Sequence, residues 1–460
     1  MSAFSAIVLA AGKGTRMNSP LPKVVHPVCG RPMIERVIRA VQAAKAVEVR
    51  VVVGFGEKLV RQIAEPLGAV CFKQERQLGT ADAVRSARPD DLEGDVVILN
   101  GDHPLMEAAD IEKFRREFHE GKADVAVVTC ELDDPGSFGR VVRQKDKVMA
   151  IVEMKDASHE TRKIKEVNTG IYVIRADVLN DLLPRIQSHN AQGEFYLTDL
   201  IGLAVEDGLN VQGLKADPRV ALGVNTQGEL ALATAQAFRR KADRLMEAGV
   251  IVVRPDQVFI EESVEVAAAA VLYPNVFLRG ATRIGAFTVI EPGCVLSDAV
   301  IGGNVHVKAG CYIDHASVGD GVKMGPYAHL RPGTEVGDEC HVGNFVEMKK
   351  VKFGRGAKAN HLTYLGDAEI GENTNIGCGT ITCNYAVDRK KYVTKIGKDV
   401  FVGSDSQFIA PVTVGDGAVI GSGSTITKDV PAGALAVGRA RQIVKENYVP
   451  NQGSKKKKED

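Results

Sequence analysis

The sequence predicts an α/β domain with a mostly parallel sheet, followed by a parallel β-helix of six-residue repeats. Two observations carry this. Up to about residue 225, β-branched runs such as AIVLA, VRVVVG, DVVILNGD and DVAVVTCEL alternate with helix-forming stretches such as IERVIRAVQAA and ADIEKFRREFHEG, the pattern of a sheet with helices on both faces. Beyond residue 250, aliphatic residues recur about every six positions, many followed by glycine: Ile284-Gly285, Ile301-Gly302, Val318-Gly319, Val336-Gly337, Phe353-Gly354, Ile370-Gly371 and onward to Ile420-Gly421. That period is too long for an amphipathic strand and too short for a helical repeat, but it suits a triangular coil with one short strand and one corner per repeat. The aliphatic side chains point to the coil axis, and the glycine after each is expected to let the backbone turn. A sandwich of short strands is the alternative.

Taken in order, the elements suggest the following organisation. Residues 1–225 form the α/β domain. Residues 226–249, TQGELALATAQAFRRKADRLMEAG, hold good helix formers with apolar Leu230, Phe238 and Leu245 and no proline, which predicts a linker helix. Residues 250–450 form the β-helix. Residues 451–460, with the run KKKKED, read as a disordered basic tail, a basic interaction patch being the other reading.

Bulk properties narrow the function. The chain's 460 residues are enough for two or three domains. Its 58 basic and 58 acidic residues balance, so no overall field draws it to nucleic acid or an anionic membrane, and neither is expected as a partner. Eight cysteines are scattered with no CxxC pair, and no stretch is apolar enough for a signal peptide or membrane span; both features suggest a soluble, cytoplasmic protein.

Chemistry first appears at residues 7–17, IVLAAGKGTRM. The loop lacks the Walker pattern GxxxxGK[ST], and Met17 stands where the dinucleotide fingerprint needs its third glycine. What remains is a strand followed by a glycine-rich turn carrying Lys13 and Arg16, with Lys23 close behind. It is either a cradle for a triphosphate or an ordinary strand–helix turn. Asp102 of LNGD ends a strand, where α/β sheets place ligands; its structural alternative is to cap the next helix. In the repeats, the series breaks between Ile376 and Ile396, and this stretch is expected to project as a loop. Just before it, AHLRPG, FVEMKK and NHLTYLGD supply Arg331, Lys349, His361 and Tyr364, a set able to grip a phosphate and deprotonate an amine.

LAAGKGTRM followed by LPKVVHPVCGRPMI, with QLGTADAV, LNGD and VNTGIYV, closely resembles the signature of sugar-phosphate nucleotidyltransferases, and the repeats resemble hexapeptide acyltransferases. The order of motifs is similar to that of the bifunctional bacterial uridyltransferase–acetyltransferases, and the resemblance covers nearly the whole chain. It implies a Rossmann-like nucleotidyltransferase domain and a left-handed coil, although crossovers between parallel strands are almost always right-handed. It also implies two reactions. Acetyl-CoA acetylates glucosamine-1-phosphate in the C-terminal domain; UTP then donates UMP to N-acetylglucosamine-1-phosphate in the N-terminal one, releasing pyrophosphate and yielding a precursor of peptidoglycan and lipopolysaccharide.

The resemblance assigns residues as well. The backbone of Leu9, Ala10, Ala11 and Gly12 with Gln74, Gly79 and Thr80 would hold uracil; Lys13, Arg16 and Lys23 would face the phosphates, with Arg16 and Lys23 catalytic. Asp102 and Asn225 would bind Mg²⁺, a hard cation that prefers oxygen ligands. Gly139, Glu153 and Asn168 would hold the sugar. In the repeats His361 is the candidate general base, and Arg331, Lys349, Tyr364 and Asn375 would bind glucosamine-1-phosphate. Asn384 and Tyr385 would reach in from the loop, and Cys378, Ser404, Ser422 and Arg439 would contact acetyl-CoA. A homotrimer is implied too. The chain departs from the family in four places: Asn100 stands where tyrosine is usual, the loop at 384–388 has one extra residue, and Cys378 and Ser422 stand where alanine is often found. Two competing readings are a nucleotidyltransferase whose β-helix only assembles or regulates it, and a catalytically silent assembly subunit.

Overall fold

A computed structural model describes residues 3–221 and 223–448. The lysine-rich tail at 451–460 lies outside the described residues. The chain divides into two compact units, Met1–Lys241 and Ala242–Asp460. The helix expected over 226–249 spans Gln227–Glu247, and the division falls within it.

In the first unit the sheet order is Val211–Lys215, Val125–Glu131, Glu166–Arg175, Asp95–Asn100, Phe4–Ala10, Glu48–Val53 and Val70–Lys73. Its strands are parallel except Glu166–Arg175, which runs antiparallel to both neighbours, and the hairpin Arg140–Gln144/Lys147–Val152 attached to it. Successive side chains of a strand point to opposite faces. Accordingly Val97 and Leu99 join one buried cluster while Val96 and Ile98 join the other. Both faces are covered, which is why these strands read as continuous apolar runs. Leu9 pairs with Asn100, so the loops after Ala10 and Asn100 emerge side by side at the carboxyl edge of the sheet.

The second unit is a left-handed parallel β-helix. Each short strand pairs with the one three further along the chain. Phe259 lies opposite Phe277, eighteen residues on, so a coil comprises three hexapeptides. The repeated aliphatics are stacked inside, with Leu278, Leu296, Ile313, Leu330, Met348 and Leu365 fully buried. Leu330→Ala is expected to cost about 2–5 kcal/mol of stability, from lost burial and a cavity the stacked coils cannot close; urea unfolding measures it.

Most glycines that follow a repeat aliphatic act differently from the sequence expectation, Gly325 (φ 86°) being an exception. Gly285, Gly343 and Gly377 are not in the positive-φ set; the corners are turned a few residues later by residues at positive φ, among them Phe287 (60°), Phe345 (55°) and Leu362 (41°). The repeat glycines are small because coils touch. A Cβ on Gly343 would stand 1.9 Å from the Asn360 carbonyl oxygen, and one on Gly285 would stand 2.5 Å from the backbone of Gly302. The break after Ile376 is also narrower than expected. Ile381–Cys383 remains in the coil, opposite Gln407–Ile409, and Thr394 re-enters opposite Ala368. Only residues 384–393 project, pinched by an antiparallel bridge between Tyr385 and Lys391.

Candidate active sites

In the first unit, the carboxyl edge of the sheet opens into a cleft of about 300 Å³. Leu9, Arg16, Thr80, Asp102, Gly139, Glu153, Asn168 and Asn225 line it together. Eight residues singled out from scattered stretches of sequence thus converge on one space. The Lys23 ammonium donates to both the Asp102 carboxylate and, at 2.9 Å, to Asn225 Oδ1. Burial works against the ionised Asp102 carboxyl, but Lys23, with His103 beside it, holds it below the usual carboxylate range. Its second oxygen, Oδ1, is buried without a hydrogen-bond partner.

Asp102 is not a helix cap. The next helix, Ala108–Glu120, is capped by Glu107 and Asp110, each side chain bonding the other's backbone N–H. Asn225 is held by a residue the sequence reading did not single out: the Glu229 carboxylate accepts from the Asn225 and Thr226 backbone N–H groups at 2.6 and 3.0 Å, while the Thr226 hydroxyl accepts from Glu229 N–H. Thr226-x-x-Glu229 is a capping box, legible in TQGE, and it anchors Asn225 to the start of the long helix.

The glycine-rich loop lies against Lys23. Gly14 has φ 63°, and a Cβ there would come within 2.6 Å of Lys23 Cβ, so a side chain at Gly14 would displace the lysine. Lys13 and Arg16 are exposed, and Lys13 sits over the Phe55 ring. Gln77, missed in the sequence, donates to the Ala11 carbonyl at 2.6 Å. Gln74 is buried and donates to Gly79 O and Asp82. Gly79 has φ 120° and no room for a Cβ beside the Phe195 backbone.

Gly139, Glu153 and Asn168 form one corner of the cleft. The Asn168 backbone N–H donates to Gly139 O at 2.9 Å, and a Cβ on Gly139 would stand 3.2 Å from Glu153 Oε1. The Asn168 side chain is clamped, its Nδ2 donating to the Tyr172 hydroxyl at 3.0 Å and its Oδ1 accepting from Gly170 N–H at 2.8 Å. Burial pushes the Glu153 carboxyl above its ordinary range. A carboxyl raised by folding contributes no penalty below its unfolded pKa and destabilises once ionised. Glu153→Gln is therefore expected to raise the unfolding temperature at neutral pH, with the gain vanishing as pH falls through the carboxylate range; thermal scans across pH check this.

In the second unit, register organises the site. Ala359, Ile376, Val402 and Ile420 are stacked partners. The residues two further on, His361, Cys378, Ser404 and Ser422, therefore form one column down the coil, with Arg439 just past its end. His361 is exposed. On the neighbouring face Arg331 pairs with Lys349 and Glu347 with Tyr364, and Arg331 donates to Glu347 at 2.8 Å. A Cβ on Gly366 would meet both Tyr364 Oη at 2.5 Å and Asn384 Nδ2 at 2.8 Å. This glycine is the space in which loop and coil side chains meet. The loop also delivers Lys391, not anticipated from sequence, against Lys349; Lys391 and then Arg331 push the Lys349 ammonium down. Three cations thus stand close together, with Glu347 bonded to Arg331 as a carboxylate among them. Asn375 stands apart from this group, on the next face, opposite Lys358 and Phe401.

Together these features define a nucleotidyltransferase domain joined to a hexapeptide-repeat transferase domain. Residues 6–163 match the MobA-like NTP transferase domain, residues 254–353 the GMPPB C-terminal domain and residues 394–428 the six-repeat bacterial transferase hexapeptide. The chain belongs to the bifunctional GlmU family. A protein so described from Bdellovibrio bacteriovorus is 60% identical, the alignment covering 99% of this chain and 100% of the relative. One from Carboxydothermus hydrogenoformans is 44% identical over 97% and 100%, and one from Trichlorobacter lovleyi 45% identical over 97% and 98%.

Proposed function

We propose that the chain acetylates glucosamine-1-phosphate from acetyl-CoA on its β-helix, and in its α/β domain transfers UMP from UTP to the N-acetylglucosamine-1-phosphate so formed. The observation that carries this reading is that each unit has its own charged apparatus: Lys23 bridging Asp102 and Asn225 in one, Arg331, Lys349 and Lys391 beside His361 in the other.

In uridylyl transfer a phosphate oxygen of the sugar attacks the α-phosphorus of UTP and the bond to the β-phosphate breaks, releasing pyrophosphate. Two polyanions must meet, so neutralisation and positioning are the main tasks. Lys13, Arg16 and Lys23 face the phosphates, Gln74, Gly79 and Thr80 with the backbone of residues 9–12 hold uracil, and Gly139, Glu153 and the clamped Asn168 hold the sugar. Asp102 and Asn225 suit Mg²⁺: they already share one cation, the Lys23 ammonium, and Asp102 Oδ1 has an unused lone pair. With these two protein ligands, the ion would be completed by phosphate oxygens and water. Bound there, Mg²⁺ would neutralise charge on the triphosphate. Chelation by EDTA is expected to abolish pyrophosphate release while leaving CoA release intact; equal loss of both, or of neither, counts against these two ligands.

In acetyl transfer the sugar nitrogen attacks the thioester carbonyl as His361 accepts its proton, and the CoA thiolate departs. Arg331, Lys349 and Lys391 grip the sugar phosphate with Tyr364 and Asn384, while Asn375, expected to join them, stands on the next face. Cys378, Ser404, Ser422 and Arg439, with Tyr385 from the loop, follow the CoA chain away from the reacting atoms. A homotrimer belongs to the same reading. Tyr327 and Phe345 stack with ring centroids 5.6 Å apart, and with Leu362 they form an exposed apolar ridge on consecutive coils beside His361, a surface that suits cover by a neighbouring copy. A cytoplasmic location belongs to the same reading; no helix among the described residues is long and apolar enough to cross a membrane.

A further inference from the structure

Charged residues stack on the coil faces in two different ways. On one face the rungs alternate in sign: Glu335 lies opposite Lys352, Lys352 opposite Glu369 and Glu369 opposite Lys395, with Lys395 and Glu369 paired at 3.5 Å. Opposite charges on adjacent strands support the stack. On the face that carries Asn375 the order is Lys323, His341, Lys358 and Asn375, with no carboxylate interleaved. Lys308 is near enough to act on the same group: the His341 imidazole is pushed down by burial and then by Lys358, Lys323 and Lys308. Lys308, Lys323 and Lys358 are exposed. None takes part in any ion pair seen among the described residues. Lys323 and Lys358 each lie opposite the His341 ring, so this column, unlike the alternating one, holds no opposite charge to neutralise its lysines.

The position of the column suggests what neutralises it. Lys358 is three residues before His361 on the same coil. The strip therefore ends level with the acetyl-transfer column, but runs from there toward the amino-terminal coils, whereas Cys378, Ser404, Ser422 and Arg439 lie toward the carboxyl-terminal ones. It is also distinct from the Arg331–Lys349–Lys391 cluster, which occupies another face. We propose that Lys308, Lys323, His341 and Lys358 form an anion-capture strip that binds the phosphate groups of substrates approaching His361. This rests on the β-helix being an acetyltransferase. Such a strip raises the local concentration of a phosphorylated ligand and hence its capture rate, and salt screens the effect. It leaves the chemical step alone.

The test is the full-length chain with Lys308, Lys323 and Lys358 all replaced by alanine, assayed by release of the CoA thiol as ionic strength rises. The expected result is a fall of about tenfold in kcat/KM at low salt, with kcat unchanged and the curves of variant and parent merging at high salt. Separate titrations assign the phosphate: loss confined to the acetyl-CoA series makes the strip a CoA-phosphate site, and loss confined to the glucosamine-1-phosphate series makes it a sugar-phosphate site. The unfolding temperature of the unliganded variant is expected not to fall, because the three exposed lysines hold no ion pair among the described residues, and uridylyl transfer is expected to match the parent. Identical kcat/KM and salt dependence in parent and variant overturns the proposal, as does a changed oligomeric state with unchanged salt dependence, which would assign the lysines to contacts between copies. If the parent shows no acetyl transfer at all, the functional reading fails on its own, and the strip is judged by equilibrium binding of coenzyme A and of inorganic pyrophosphate to parent and variant. Equal affinities for both probes would then overturn it.

Discussion

Replacing His361 with alanine is expected to lower acetyl transfer by about 10²–10⁴-fold, the range a positioned general base supplies, while pyrophosphate release from UTP and preformed N-acetylglucosamine-1-phosphate stays at the parent rate. The imidazole is exposed at the head of the column that continues through Cys378, Ser404 and Ser422. Its removal leaves no hole in the coil interior, where Leu365 and Thr363 remain packed. The loss should appear in kcat rather than in the unfolding temperature. If both reactions fall together, the two sites are not separate.

The reciprocal variant is Asp102→Ala. It is expected to reduce uridylyl transfer by about 10²–10³-fold or more, by analogy with removal of one preorganised electrostatic contact, and to leave CoA release from acetyl-CoA unchanged. Among the described residues, Asp102 is the carboxylate that the Lys23 ammonium shares with Asn225. Without it Lys23 keeps only a neutral amide partner, and the site loses the charged half of its proposed metal pair. Normal uridylyl transfer in this variant would place the metal elsewhere. Asp102→Asn separates the two contributions: it keeps a polar oxygen for Lys23 but removes the charge, so an equally large loss identifies charge as the requirement.

Much of this arrangement was legible in the sequence, because periodicity and motif report local conformation. The alternation of apolar runs foretold a covered parallel sheet, and the six-residue series foretold the coil. TQGE announced the capping box that fixes Asn225, although its bearing on the site appears only when Asn225 is seen beside Lys23. What the sequence hid was contact between distant residues. Tyr172 looks like any core aromatic of a strand until its hydroxyl is found holding Asn168. Lys391 sits in a charged loop, and nothing in its neighbours says that the pinch at Tyr385 turns it onto Lys349. Lys323, His341 and Lys358 are seventeen or eighteen residues apart, and only coil register brings them onto one face. The repeat glycines were recognised but misread: the turn is made by Phe287, Phe345 and their counterparts, while glycine answers the closeness of the next coil. That distinction lies between coils and leaves no trace within a hexapeptide.

The most direct test of the two-site account is pyrophosphate release by the purified protein given UTP, Mg²⁺ and glucosamine-1-phosphate, with and without acetyl-CoA. Release that depends on acetyl-CoA is the predicted result, since the α/β domain must wait for the β-helix to make its substrate. Equal release without acetyl-CoA, or release supported only by preformed N-acetylglucosamine-1-phosphate, would contradict it.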